Sequence, residues 1–321
     1  MEDGSAEKRF CVIGAQKAGT TWLYHMLSRH PRIYVPGIKE INYYFAVQEG
    51  RTEREIANFE KARESLASRL NGSDASGDED AEETPAGLQR KLEEMDVLLA
   101  ALRGQRPLTD LFAMRSGSFA AYGDVTPANA LLNADSYKKI LDENPETRFV
   151  FIMRDPVERV LSSAKMGMRR KDRAEKELGD LDKYVNTFTN MRTTLGRMTD
   201  YKRTIETLEA AVPKEQVLYL FYENLFSDRM NVELKKLARH LGVVKIPGDR
   251  EKRVNTAREG QSSSELLAAG REERIVQRLR PQYRFVRTHL RRQVPDEWRK
   301  PGPAPAGTGP KARAKLKEKV A

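Results

Sequence analysis

Three uninterrupted apolar runs stand out from an otherwise polar chain: "RFCVIG" at 9–14, "RFVFIMR" at 148–154 and "QVLYLFY" at 216–222. Continuous rather than alternating apolar character marks strands buried on both faces. Each run lies beside a helix-like stretch, and this alternation predicts an α/β fold, a three-layer sandwich with a central parallel sheet. After the first run, Trp22, Leu23, Met26 and Leu27 recur at helical spacing from Thr20 to about Arg29, and His30-Pro31 ends the pattern. Residues 52–103 break the alternation. "TEREIANFEKARESLASRL" and "LQRKLEEMDVLLAALRG" both read as helices, which makes the segment a helical insertion. Between them, Asn71 to Thr84 holds six acidic residues and no basic one, so a solvated, mobile loop is expected over 71–87. The pattern leaves two roles for this insertion: a hairpin that lengthens the core, or a lid or wall over a neighbouring site.

Composition narrows the class. A chain of 321 residues with 39% hydrophobic and 32% charged residues accommodates one large core, here expected over 1–298. No apolar run approaches the roughly 18 to 20 residues of a membrane span. The opening "MEDGSAEKR" resembles neither a signal nor a transit peptide, and the single cysteine, Cys11, has no internal partner. A cytoplasmic setting is expected. The net charge is +10, yet residues 299–321 hold seven Lys/Arg against one Glu, a surplus of +6. Most of the excess is therefore a basic tail rich in Pro, Gly and Ala, expected to be disordered. It serves either solubility or attraction to an anionic partner.

Candidate chemistry begins at "GAQKAGTTW", residues 14–22, where glycines five apart join the first strand to the first helix. Such a loop wraps an anion with its backbone and presents the N–H groups of a helix start. A triphosphate-binding Walker A loop would have Lys directly after the second glycine; here Thr20 follows Gly19, and the lysine lies inside the loop as Lys17. A second anion site is predicted at "RDPVERVLSS", which follows the strand at 148–153. Asp155, Pro156 and Glu158 supply an N-cap, a first helical residue and a capping-box partner, so Arg154 and Ser162 are left to hold the anion. Ligands of parallel sheets gather at the carboxyl ends of strands, which suits a ligand with phosphates at both ends.

These residues together resemble the sulfotransferases that use 3′-phosphoadenosine 5′-phosphosulfate (PAPS). "GAQKAGTTWLYHML" is similar to the family's P-loop-like 5′-phosphosulfate loop, and "RDPVERVLSS" to its 3′-phosphate motif, an Arg and a Ser eight positions apart. "PGIKEINYYF" resembles a Lys-Glu segment of the carbohydrate and bacterial branches, "YGDVTPANALL" their Gly-acidic-x-Thr-Pro segment, and "VLYLFYENLFSD" a later strand in which Asn224 replaces the usual Asp. Val125 stands where the heparan 3-O branch has a lysine. The ordered likeness runs over roughly residues 9–50 and 107–245.

The resemblance implies that PAPS is the sulfuryl donor and that no metal is needed. The 5′-phosphate falls to the backbone of Ala18, Gly19, Thr20 and Thr21 and to the two threonine hydroxyls, while Lys17 stabilises the leaving group. Trp22 lies against adenine or packs in the core. Arg154 and Ser162 hold the 3′-phosphate, and Arg253, with Asn255, belongs to a segment that closes over the nucleotide. Glu40 is the expected general base, with His25 and His30 as substitutes; its alternative is a structural pair with Lys39 or Lys17. Asp124 and Thr126 are expected to support the crevice wall. The expected acceptor is a small molecule, lipid or saccharide bearing a hydroxyl or amine; the motifs do not choose among these, and leave a phenol or a peptide tyrosine open as well. Two rivals are a P-loop kinase-like phosphotransferase and a nucleic-acid binder working through the tail, the latter disfavoured because no aromatic-rich motif accompanies the basic residues.

Overall fold

The computed structural model describes residues 8–72, 84–115, 119–170, 179–248 and 271–299. Most of the acidic loop, Arg253, Asn255 and the tail from 300 lie outside the described residues. The described residues divide into two compact units, those within 1–154 and 203–256 and those within 155–202 and 257–321.

The first unit holds a five-stranded, all-parallel sheet of order β2-β3-β1-β4-β5, flanked by helices, as the alternation of apolar runs predicts. Its strands are β1 (Lys8–Gly14), β2 (Ile33–Tyr34), β3 (Ala121–Val125), β4 (Arg148–Met153) and β5 (Val217–Phe221). Phe10 to Ile13 of β1 and Phe149 to Met153 of β4 are fully buried, which explains why both strands read as unbroken apolar runs. Helices α1 (Thr20–Ser28), α2 (Tyr43–Gln48), α3 (Thr52–Leu70), α4 (Pro85–Leu102), α5 (Thr109–Ala113) and α6 (Ala134–Glu143) belong to this unit. The insertion is the α3–α4 pair. Its second helix starts earlier than the expected loop boundary at 87, because Thr84 is an N-cap whose Oγ1 accepts from Gly87 N at 3.2 Å and Pro85 opens the first turn.

In the second unit, α7 (Pro156–Arg170) begins at the proline that the sequence singles out. Asp155 Oδ1 accepts from Val157 N at 3.0 Å, Glu158 N at 3.1 Å and Tyr283 Oη at 2.8 Å. Helices α8 (Gly179–Thr189) and α9 (Thr194–Arg197) follow. Helix α10 (Tyr201–Ala211) leads back to the first unit, where α11 (Tyr222–Leu225) and α12 (Met230–Leu241) follow β5. The last helix, α13 (Arg271–Leu290), returns to the second unit. There Ile275 and Leu279 pack with Val157, Val160, Leu161 and Phe188. Among the described residues no helix is long and apolar enough to cross a membrane.

Candidate functional site

The loop at 14–22 leaves the carboxyl end of the central strand β1, and Gly19 turns it into α1. Gly19 is the helix N-cap in the left-handed region, φ 82°, with no side-chain cap. The opening N–H groups of α1 therefore receive no acceptor from a capping side chain, which is the arrangement that suits an anion. Glycine is required here for a second reason: a Cβ would lie 3.0 Å from Phe226 Cε2 and 3.2 Å from Tyr222 Cδ2. Ala18 is fully buried and its N–H closes a turn onto Ala15 O at 3.1 Å. Thr20 is buried and Thr21 half-buried, so the two hydroxyls differ in access.

Lys17 sits half-buried inside the loop with φ 69°. Its carbonyl accepts from Arg154 Nη1 at 3.2 Å, so the residue that the second motif supplies is tied to the first motif's backbone. The sheet explains this meeting. Met153 of β4 pairs with Phe221 of β5, so the next residues, Arg154 and Tyr222, emerge side by side. The Arg154 guanidinium lies over the Tyr222 ring at 4.6 Å from its centroid, a cation–π contact that fixes the arginine beside the loop. Tyr222 in turn packs against Phe226 at 4.4 Å, and Phe226 against Trp22 at 4.8 Å. Trp22 is only 3% exposed in this arrangement. Sequence reasoning does not find that Tyr222 and Phe226 flank the loop, since β4–β5 register is a non-local property.

Glu40 follows the Pro36-Gly37 turn with φ 63°, and Asn42 has φ 50°. Non-glycine residues in the left-handed region are uncommon and cluster where a backbone is held for a purpose. Among the described residues, both Lys17 and Glu40 are of this kind. The Glu40 carboxylate pairs with Lys39 Nζ at 3.0 Å, and both side chains are partly exposed. His30 is occupied: its Nδ1 accepts from Arg32 N at 3.1 Å and its Nε2 faces Lys245 O at 2.8 Å, so it serves as a structural connector. His25 is half-buried on α1, edge-on to Tyr24. Asp124 and Thr126 are both buried at the end of β3, and desolvation raises the pKa of Asp124. Ser162 is half-buried on α7 in the second unit.

Residues 10–246 match the model of a family described as the sulfotransferase family. Among solved structures the chain is similar to a sulfotransferase from Alicyclobacillus acidocaldarius, with 19% identity over 92% of this chain and 100% of that one, at a TM-score of 0.56. It is also similar to the sulfotransferase domain of the Synechococcus PCC 7002 olefin synthase, with 15% identity over 98% of this chain and 94% of that one, at a TM-score of 0.40. No curated protein sequence matches it.

Proposed function

The chain belongs to the sulfotransferase family, and on that premise we propose that it moves a sulfuryl group from PAPS to a hydroxyl or amine of a small-molecule, lipid or saccharide acceptor. The observation that carries this reading is the loop itself: an uncapped helix start, preceded by Lys17 and tied by Arg154 to the neighbouring strand end. In the proposed step the acceptor atom attacks sulfur in line with the leaving phosphate. The bond from sulfur to the bridging oxygen breaks, and the acceptor's proton passes to the Glu40 carboxylate. Lys17 neutralises charge growing on the departing 5′-phosphate, while the N–H groups of Gly19, Thr20 and Thr21 hold its other oxygens. Arg154 and Ser162 are assigned to the 3′-phosphate by their motif, and Arg253 to the nucleotide by its position in the chain. Trp22, packed on Phe226, shapes the loop from behind.

The test is ligand choice. Adenosine 3′,5′-bisphosphate is expected to bind more tightly than adenosine 5′-phosphate, by about tenfold to a hundredfold, the worth of a charge-assisted arginine contact. Calorimetry giving equal affinities would remove this reading. Two substitutions then separate binding from chemistry. Glu40→Gln is expected to lower turnover by about 10²- to 10⁴-fold with little change in bisphosphate affinity, whereas Lys17→Ala lowers both.

A further inference from the structure

The inserted helix α4 carries a buried carboxylate that the reaction scheme does not use. Glu94 has a fully buried side chain on a helix otherwise packed through Leu88, Leu92, Met95, Leu98 and Leu102. Its two oxygens divide their work. Oε1 accepts from Tyr34 Oη at 2.9 Å, and Oε2 accepts from the backbone N–H of Gly37 at 2.6 Å. Arg90, one turn earlier, is 4.0 Å away at the edge of the contact. Desolvation raises the pKa of Glu94, so holding it here costs free energy that its hydrogen bonds must offset.

The gripped residue is informative. Gly37 lies three positions before Glu40 in the turn that leads to it. A Cβ at Gly37 would lie 2.7 Å from Lys91 Cγ and 3.2 Å from Glu94 Oε2, so the turn is pressed directly onto α4. From the other side, Tyr24 of α1 donates to Pro36 O at 3.0 Å. The Pro36-Gly37 peptide is thus held between the helix that opens at the anion loop and the helix of the insertion. Beyond it, Ile38 and Ile41 are buried while Lys39 and Glu40 point to partly exposed positions.

We propose that the inserted α3–α4 pair is a positioning element for the acceptor side of the reaction, with Glu94 as the residue that holds the Pro36-Gly37 turn and thereby sets where the Glu40 carboxylate stands. This rests on the reading of Glu40 as base. Glu94 touches neither donor nor acceptor; it acts through the peptide that carries Glu40.

The experiment compares full-length wild type with Glu94→Ala, Glu94→Gln and Tyr34→Phe by hydrogen exchange, calorimetry and PAPS cleavage with 4-nitrophenol or water as the probe acceptor. Glu94→Ala is expected to speed exchange over residues 37–42 by about tenfold or more while exchange over 14–22 and bisphosphate affinity stay near wild type. Bisphosphate release from PAPS then falls by about tenfold or more through kcat, with KM for PAPS unchanged. Glu94→Gln retains a carbonyl acceptor for Gly37 N–H and is expected to recover most of both effects. Should Glu94→Ala fail to fold, Tyr34→Phe removes one of the two bonds, and a smaller change in the same direction is expected. Unchanged exchange over 37–42 overturns the proposal, and so does faster exchange with normal cleavage, or a loss of bisphosphate affinity that matches the loss of rate. Normal cleavage by Glu40→Gln is a different failure: it removes the base, whatever the Glu94 variants do.

Discussion

Gly19 bears two constraints at once, a left-handed backbone and a pair of aromatic rings against its Cα. Gly19→Ala meets both, with about 1–2 kcal/mol from the backbone alone. Tyr222 and Phe226 pack on each other, so both rings must give by a few tenths of an ångström to admit the methyl group. The expected outcome is a loss of about tenfold in bisphosphate affinity, following from a displacement worth roughly 1.4 kcal/mol. Unchanged calorimetric affinity in a folded variant would show that the start of α1 does not hold the phosphate. A second residue sets an acid limit on stability. His240 of α12 is half-buried with Nε2 at 3.2 Å from Phe149 O, and desolvation lowers its pKa to about 4 from 6.5. The folded state therefore disfavours the proton that the unfolded chain takes up. The contribution is fully present above pH 6.5 and is lost as pH falls towards 4. His240→Gln keeps a donor for the carbonyl without titrating, so between pH 7 and pH 5 it is expected to lose less stability than wild type in urea titrations. Equal losses would mean that the ring is protonated in place.

Elements differ in how legible they are, and the differences have physical causes. β1 and β4 announce themselves because burial on both faces demands continuous apolar residues, whereas β5 carries the same apolar run at the sheet edge, with Val217, Leu218 and Tyr219 only half-buried. β2 is only Ile33–Tyr34, too short for any pattern. β3 contains Gly123 and Asp124, residues of poor strand propensity, and becomes a strand only by pairing from Ala121 to Val125 with Lys8 to Val12. Thr20 to Ser28 is legible from periodicity, Pro156 onward from its caps and the two inserted helices from propensity, whereas residue type alone does not set Glu94 apart from the exposed Arg90, Glu93 and Asp96 around it. Its signal was there in the spacing: Val97, Leu98 and Ala101, three, four and seven positions on, are all buried. The same pattern says what joins α3 to α4. Arg63–Asp96 and Glu60–Arg103 are largely exposed ion pairs between the two helices. Replacing either pair by alanines is expected to cost no more than about 1 kcal/mol, while Leu98→Ala, in a fully buried position, costs about 2–5 kcal/mol. Denaturant midpoints at constant slope check both, and a larger loss from the ion pairs would reverse the account.

On the scale of the whole molecule, a net +4 of the +10 charge lies after Lys300, beyond the last described residue. Removing everything after Lys300 takes away five Lys/Arg and one Glu, so the net charge falls from +10 to +6 without touching a residue assigned to the donor. Just before that point, Trp298 is 1% exposed, with its ring near Tyr201 at 6.0 Å and Tyr283 at 5.9 Å within the second unit. Tyr283 also donates to Asp155, the N-cap of α7, so the tryptophan supports the residue that organises the start of that helix. The two perturbations should therefore part company. A chain ending at Lys300 is expected to keep the wild-type urea midpoint and bisphosphate affinity at moderate salt. Trp298→Ala is expected to destabilise by about 3–5 kcal/mol, the usual cost of emptying a buried aromatic site. Running both chains at two salt concentrations separates field from fold, because a tail acting by long-range attraction loses its effect as the Debye length shrinks from about 10 Å at 0.1 M to about 3 Å at 1 M. If the truncated chain loses bisphosphate affinity at low salt and regains parity with wild type at high salt, the tail contributes to anion capture. If it loses affinity at both, the tail makes direct contacts, and the donor site extends past residue 300.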